Sequence, residues 1–559
     1  MSQNIFIGVA WPYANGSLHL GHIAGCYLPA DIFARYNRMI GNEVLMVSGS
    51  DQHGTPITLR AEEENTTPAK VVEKYHNEFL DCWDRLGISF DLFTNTCTDI
   101  HRDTVQEIFE FLRRNGHIYT DTSALPYCHT CKRFLPDRYV NGRCPHCNNP
   151  DARGDQCDNC GKPLNPEELL DIRCKISGDQ PEIRETEHFF LKLSNFGNDL
   201  LEWVKPQSHW RPNVLNFTRR YLEDGLHDRA ITRDLDWGIP VPVDGYEDKR
   251  IYVWFDAVTG YLSASKEWAT YQSDEGAWEK FWDGNAKSYY FIGKDNIPFH
   301  TIIWPAMLLG YKNKQLPYDV PANEFLTLEL QQLSTSRNWA VWLPDYLASF
   351  DPDALRYYLS STMPETSDSD FSWADFVKRN NDELVATYGN LANRILTLTY
   401  RNFDGIIPSP SNVSQNDNDL LLKAMKLFES VSSNLSACHF RMALHSAMEI
   451  ARETNRYLEH EQPWKTIKTD IERTGTILWV GLTILNGLKI AMYPFLPFSS
   501  VKLHRMLGFS ENIDDLGWDW DQSTKGLKPG QLLQDPTPLY QKLEEDIVDN
   551  ELDKLKNND

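Results

Sequence analysis

Asn4-Ile5-Phe6-Ile7-Gly8-Val9-Ala10-Trp11-Pro12-Tyr13-Ala14-Asn15-Gly16-Ser17-Leu18-His19-Leu20-Gly21-His22 is the stretch on which the fold turns. Its apolar start, Asn4 to Ala10, predicts a buried strand, and the Pro/Asn/Gly run after it predicts a turn. From about Gly21 to Ile40 apolar residues recur at helical spacing (Ile23, Tyr27, Ile32, Phe33, Tyr36), and Glu43 to Ser48 is again a short apolar strand. Strand, turn, helix, strand is the beginning of a parallel α/β unit. The backbone N–H groups and dipole at the start of that helix favour an anion. His19 and His22, three positions apart, both reach such an anion as donors. Gly21 between them leaves room for a flat ring against the backbone.

Outward from this turn, the 559 residues are too many for one core. With 41% hydrophobic and 24% charged residues and a mean hydropathy of -0.48, the composition is that of a globular protein in water. A net charge of -24 excludes a protein that coats nucleic acid nonspecifically, although it permits a local basic face. Ile5 to Trp11 has neither a basic leader nor a small-residue cleavage site, so no secretory signal is expected. Ile477 to Phe498 is interrupted by Asn486, Lys489, Pro494 and Pro497, which predicts a buried bundle helix and no membrane span. Apolar strands are expected again at Ile251 to Phe255 and Ser288 to Ile292. Beyond about residue 375 strand signals fade, and Leu421, Met425, Phe428, Val431 and Leu435 form a helical stripe. The highly charged end, from Glu544, reads as a surface helix or a frayed end.

Between about residues 115 and 185 periodicity gives way to Cys, Asn, Asp and Pro. Three Cys-x-x-Cys pairs stand there: Cys128/Cys131, Cys144/Cys147 and Cys157/Cys160. Thiolates so spaced on tight turns bite a tetrahedral zinc, and two such turns close a structural site. Eleven cysteines in a long chain without a secretory signal suit a reducing cytoplasm, with the clustered ones serving metal in place of disulfides.

Trp11 to Gly16 leading into His19-Leu20-Gly21-His22, with Gly49-Ser50-Asp51-Gln52-His53-Gly54-Thr55-Pro56 after the second strand, resembles the methionyl-tRNA synthetase family, whose class I "HIGH" signature the tetrapeptide matches. The resemblance runs from about residue 4 to 520. It implies an α/β fold: a class I Rossmann-type nucleotide-binding domain split by a zinc-bearing insertion, then an α-helical anticodon-binding bundle. The expected divisions are 1–115 and 226–325 for the two catalytic halves, 116–225 for the insertion, 326–375 for a connecting segment, 376–520 for the helical domain and 521–559 for a tail. The implied reaction activates L-methionine with Mg-ATP and transfers it to the 3′ end of tRNA(Met).

The resemblance also assigns residues. Ala10, Trp11, Tyr13, Trp254, Ala257, Tyr261 and His300 are implied to contact methionine, with Asp51 as partner of its α-ammonium. Aromatic walls suit a polarizable thioether. Trp11 stands where many relatives have Leu and Val258 where many have Pro, which leaves a close analogue of methionine open. Gly293 and Asp295 are implied to hold the adenosine, and Arg233 is a cation near the reacting groups. Cys144, Cys147, Cys157 and Cys160 are implied to form one zinc site. Some relatives carry a second, for which Cys128, Cys131 and Cys174 remain here with Ser177 in place of a fourth thiol. That site is either three-ligand, with His129 or water, or degenerate. The mobile "KMSKS" loop of class I enzymes corresponds to Gln332-Leu333-Ser334-Thr335-Ser336 followed by Arg337, and both lysines are missing. Ser334, Thr335, Ser336 and Arg337 remain as its polar members, and slower adenylation is expected. Asn390 and Arg394, one helical turn apart, and Trp464 are implied to read the anticodon. The chain ends near the bundle, before the dimerising module of many relatives, so a monomer is expected. Two other readings stay open: an adenylating paralogue with a non-tRNA acceptor, and a catalytically weak binding or regulatory paralogue.

Overall fold

The computed structural model describes residues 2–557 except Asp158, Pro163, Asn313, Thr335 and Ser336. Its centre is a five-stranded parallel sheet: β1 (Asn4–Val9), β2 (Glu43–Ser50), β3 (Leu92–Asn95), β4 (Lys287–Gly293) and β5 (Ala322–Asn323), in the spatial order β5-β4-β1-β2-β3. Strand β1 pairs with β2 and β4 at its edges, Ile5 with Val44 and with Lys287, and both of its faces are buried, Ile5, Ile7 and Val9 in one core cluster and Phe6 in another. That is why its sequence is continuously apolar instead of alternating. Chain order reverses between β1 and β4, and a crevice forms outside the carboxyl ends of strands at such a switch.

The helix after β1 runs from Leu20 to Met39 with a wider i→i+5 turn at Ile23–Tyr27, followed by α1 (Leu28–Met39). A second such turn, Phe299–Ile303, follows β4, and both carry residues that line the crevice. Helices α2 (Asp99–Arg114) and α3 (Val253–Thr270) pack together beside β2. The strand expected at Ile251 to Phe255 is therefore mostly helix. Only Lys249–Ile251 is strand, and Tyr252 is the extended residue at which the helix begins. Its apolar run misleads because Phe255, Val258 and Leu262 repeat at helical spacing, with Asp256 in the first turn.

The insertion is anchored by a long antiparallel pair, Ile118–Cys128 with Glu182–Leu191, and carries its cysteines on short strands beyond it. The carboxy-terminal region is helical, built on α4 (Gln415–Ser436), α5 (Phe440–Glu461) and α6 (Ile471–Met492). In α4 the face turned to the core is Leu420, Ala424, Phe428, Val431 and Leu435, so Leu421 and Met425 of the expected stripe flank it. Helix α6 is long and apolar enough to span a membrane by composition, and it lies buried in the bundle. Residues after 520 return to the body: Leu527, Leu533 and Tyr540 are buried, and helix Asp546–Asn557 lies against Trp373–Arg379.

One buried ionic knot ties these parts. Arg356 is fully buried, bonds Asp31 of α1 at 2.6 Å and donates to the carbonyls of Pro494 and Phe495 at 2.8 Å. Burial opposes the charge on Asp31, but Arg35 and Arg356 overcome it and hold the carboxyl well below the usual range.

Candidate active site

The crevice at the switch point is a cleft of roughly 430 Å³. Ala10, Trp11, Tyr13, His19, Gly21, His22, Asp51, Trp254, Ala257, Tyr261, Gly293, Asp295 and His300, scattered over 291 positions of sequence, all line it.

At one end the backbone sets the chemistry of the two histidines. The Gly21 N–H donates to His19 Nδ1 and the His19 N–H to His22 Nδ1, each at 3.1 Å, and the rings stack with centroids 3.8 Å apart. Because both Nδ1 atoms accept, each neutral ring carries its proton on Nε2. Burial keeps both rings neutral, pushing His22 down to about 4 and His19 well below the usual imidazole range, with His22 adding to the effect on His19. The pair thus offers two N–H donors without the desolvation cost of two buried charges. Gly21 is required for close approach: a Cβ there would lie 2.7 Å from Leu333 and 2.9 Å from the His19 ring.

At the other end the walls are aromatic. Trp254 packs on Phe299 with centroids 4.1 Å apart. The Tyr261 hydroxyl donates to His300 Nε2 at 2.7 Å, while His300 Nδ1–H donates to the Asn296 carbonyl at 2.9 Å, so the imidazole is fixed in one tautomer. Burial pushes His300 down to about 4 and Tyr261 well up, leaving this wall uncharged. The Trp11 ring lies in a slot between two glycines: a Cβ on Gly49 or Gly260 would approach it to 2.4 or 2.7 Å. Asp51 supplies a buried carboxylate, held through backbone bonds of its N–H to Pro12 and its carbonyl to Ala14, each 2.8 Å.

Three comparisons bear on this arrangement. Residues 5–396 match the family model described as tRNA synthetases class I (M), and residues 407–557 match the anticodon binding domain of methionyl tRNA ligase. The methionine–tRNA ligase of Dehalococcoides mccartyi strain CBDB1 is 57% identical over 555 residues, covering 99% of this chain and all of the relative. The chain belongs to the methionine–tRNA ligase family. That of Roseiflexus castenholzii is 51% identical over 588 residues, with 100% of this chain and 99% of the relative covered. Among solved structures, Mycobacterium tuberculosis methionyl-tRNA synthetase in complex with methionyl-adenylate superposes with a TM-score of 0.79 at 25% identity, covering 96% of this chain and 99% of that one.

Of the other residues singled out for the reaction, Arg233, Ser334 and Arg337 are not among those that line the cleft. Arg233 donates to the carbonyls of Ala230 and Thr232, stacks 3.7 Å from the Tyr252 ring centroid and lines a smaller neighbouring cavity. In the loop of the second signature, Gln332 and Leu333 line the cleft, Leu333 resting on Gly21. Ser334 pairs with Trp339 and accepts the Arg337 N–H at 3.3 Å, and Arg337 is exposed. Thr335 and Ser336 lie outside the described residues. Lys294 is bound by Glu324 and Asp368 at 2.8 and 2.7 Å.

Sequence reasoning missed Arg138, Gln156, Tyr27, Asn296 and Phe299, which also line the cleft. Asn296 and Phe299 share one turn with Asp295 and His300, so helical spacing carried that signal. Arg138 reaches the mouth from the insertion, salt-bridged to Asp155 at 2.9 Å, and nothing local in the sequence points to that tertiary placement.

The cysteines meet the test of a tetrahedral site. Zn–S bonds of about 2.3 Å require sulfurs about 3.8 Å apart. Cys144–Cys160 and Cys147–Cys157 are 3.9 and 3.6 Å, and all four sulfurs cluster. Cys128, Cys131 and Cys174 cluster as well, with Cys131–Cys174 at 3.8 Å and Ser177 Oγ 3.4 Å from Cys128 Sγ. His129 instead pairs with Glu182 at 2.6 Å. In the bundle, Asn390 and Arg394 lie on helix Asn390–Asn402, and the Arg394 guanidinium sits 4.6 Å from the Trp464 ring centroid.

Proposed function

We propose that this cleft joins L-methionine to the α-phosphate of Mg-ATP, releasing pyrophosphate, and passes the methionyl group to the 3′ end of tRNA(Met) for protein synthesis. The observation that carries this reading is the meeting in one cleft of a neutral two-histidine turn and an aromatic chamber that contains Asp51. His19 and His22 donate Nε2–H to the triphosphate, and Gly21, Gly293 and Asp295 hold the adenosine. Ala10, Trp11, Tyr13, Trp254, Ala257, Tyr261 and His300 enclose the methionine side chain, and Asp51 takes its ammonium. Such chemistry needs positioned reactants and neutralised charge more than covalent help from the protein. With Gln332 where relatives carry lysine, Arg138 is the arginine or lysine that lines the cleft among the described residues. Arg233, Ser334, Thr335, Ser336 and Arg337 are the further polar residues that serve the reacting phosphates.

Cys144, Cys147, Cys157 and Cys160 hold a structural zinc, and the Cys128, Cys131, Cys174 group is a weaker second site whose fourth position falls to Ser177 or water. Asn390, Arg394 and Trp464 form the anticodon contact, by stacking and by hydrogen bonds to unstacked bases. Reduced, clustered thiols suit a cytoplasmic enzyme. Methionine-dependent ATP–pyrophosphate exchange tests the first half-reaction, and its absence would leave a binding paralogue. Charging that depends on a CAU anticodon tests the second, and exchange without charging would point to another acceptor.

A further inference from the structure

Behind Asp51, and outside the cleft, lies a second carboxylate that the proposed reaction does not use. Asp256, on the first turn of α3, is fully buried, and two imidazoles flank it. His53 Nδ1 lies 2.6 Å from Asp256 Oδ2, and His101 Nε2, from α2, bonds Oδ1. His101 Nδ1 continues to Ser263 Oγ at 2.7 Å. His53 also touches the other carboxylate, for its backbone N–H donates to Asp51 Oδ1 at 3.2 Å. Its Nε2 faces Cys97 Sγ at 3.4 Å, and the edge of Trp237 closes the remaining side. Asp51, His53, Asp256 and His101 are all less than a tenth exposed.

We propose that His53, locked to Asp256, is a positioning residue for methionine recognition: it holds the Asp51 carboxyl through its backbone N–H and offsets the charge of Asp256, which favours the ionised Asp51 that takes the ammonium. Two close carboxylates in a dry site do not both ionise without a cation between them. His53 touches both, its imidazole bonding Asp256 and its backbone N–H bonding Asp51. Burial works against its charge, but Asp256 prevails and pushes His53 up to about 10. Asp51 is driven well up by its burial and by Asp256, while His53 and, more distantly, Arg138 draw it back, and Tyr13 stands beside it. The His53 cation lies against Asp256, which leaves the negative charge of an ionised Asp51 to be met by a ligand. The ammonium of an amino acid removes it. A deaminated, otherwise identical thioether acid brings no such charge and is rejected, so the cluster selects for the protonated α-amine.

The inference rests on the reading of Asp51 as the ammonium partner, and Asp51→Asn tests that reading alone through KM for methionine in pyrophosphate exchange. The inference itself is tested by His53→Gln, which keeps a hydrogen bond to Asp256 but no charge. Asp51 then holds a proton at neutral pH. KM for methionine is expected to rise tenfold or more at pH 7, since one unit of pKa corresponds to about tenfold, and to recover toward pH 9 while KM for ATP holds. Adding Asp256→Asn removes the competing carboxylate and is expected to flatten that pH profile and restore KM. A merely structural role would make the double variant worse. A pH-independent rise in His53→Gln, or no rescue, overturns the inference. If Asp51→Asn leaves KM for methionine unchanged, the reading beneath it fails instead. Should His53→Gln not fold, calorimetric titration of the wild-type enzyme with methionine at pH 7, in buffers of different ionisation enthalpy, decides. No proton exchange supports the inference, and release of about one proton overturns it.

Discussion

Adding a single methyl group at Gly260 tests the geometry of the methionine chamber. Its Cβ would lie 2.7 Å from Trp11 Cζ2 and 2.8 Å from Cε2, where ordinary contact needs at least 3.4 Å, so the ring has to move by several tenths of an ångström. It cannot retreat toward β2, because at Gly49 the opposite edge of the ring already occupies the place of a Cβ. The free direction is into the cleft. Overpacking of this kind costs about 1–3 kcal/mol. Felt entirely as lost methionine binding, at about 1.4 kcal/mol per tenfold, this raises KM about 5- to 150-fold. Exchange assays with Gly260→Ala are expected to show that rise for methionine and no change for ATP. Trp11→Leu removes the ring, and combining it with Gly260→Ala is expected to bring KM back to that of Trp11→Leu alone, as required for directly coupled sites. If KM for methionine stays within about twofold while the melting temperature falls, the strain has gone into the core and the reasoning about the slot is wrong.

Gln332→Lys, which puts a cation back where the loop meets the cleft, is expected to speed pyrophosphate exchange about tenfold, a fraction of what a fully placed donor supplies. An unchanged rate would mean that this position is not limiting. Elemental analysis is expected to find one firmly held zinc that Cys144→Ser loses and Cys128→Ser retains; two equivalents surviving dialysis would contradict the ranking of the sites. Trp464→Ala is expected to lower charging by about 1–3 kcal/mol in kcat/KM for tRNA, the worth of one stacked base, with exchange untouched; an equal loss in exchange would place the defect in folding. Burial pushes Lys489, packed among α6 neighbours beside His504, down to about 7, whereas an unfolded lysine titrates near 10.4. The unfolded state therefore holds the extra proton between those values, and wild-type stability rises with pH from 7 toward 10. Lys489→Met is expected to lose that slope and gain about 1–3 kcal/mol at pH 7, read from urea unfolding at pH 7 and 9.5; parallel slopes would refute it.

What the sequence revealed and what it hid divide along a physical line. Strands β1, β2 and β4, the double-histidine turn and the knuckle cysteines were legible because each is a local pattern: a two-sided apolar run, a turn joined to a helix start, a fixed thiol spacing. The Val253–Phe255 segment was misread because apolar residues beside a strand end satisfy both periods, and only the buried contact of α3 with α2 chooses helix. Arg138, the glycine slot around Trp11 and the Asp256 cluster were invisible for another reason. Each exists only where elements distant in sequence meet, His53 and Asp256 being brought together across the whole insertion.

The position of β1 has a consequence for synthesis. Its Ile5 edge on one side is completed by Lys287, roughly 280 residues later in the chain. At about 5–20 residues per second, a nascent β1 waits about 15 to 60 s with one apolar edge open, while the zinc-bearing insertion emerges and has time to fold by itself. Metal supply to the knuckles and chaperone cover for β1 thus fall in the same interval on the ribosome. Starving cells of zinc is then a route to aggregation of the newborn chain, long before it is a route to loss of finished enzyme.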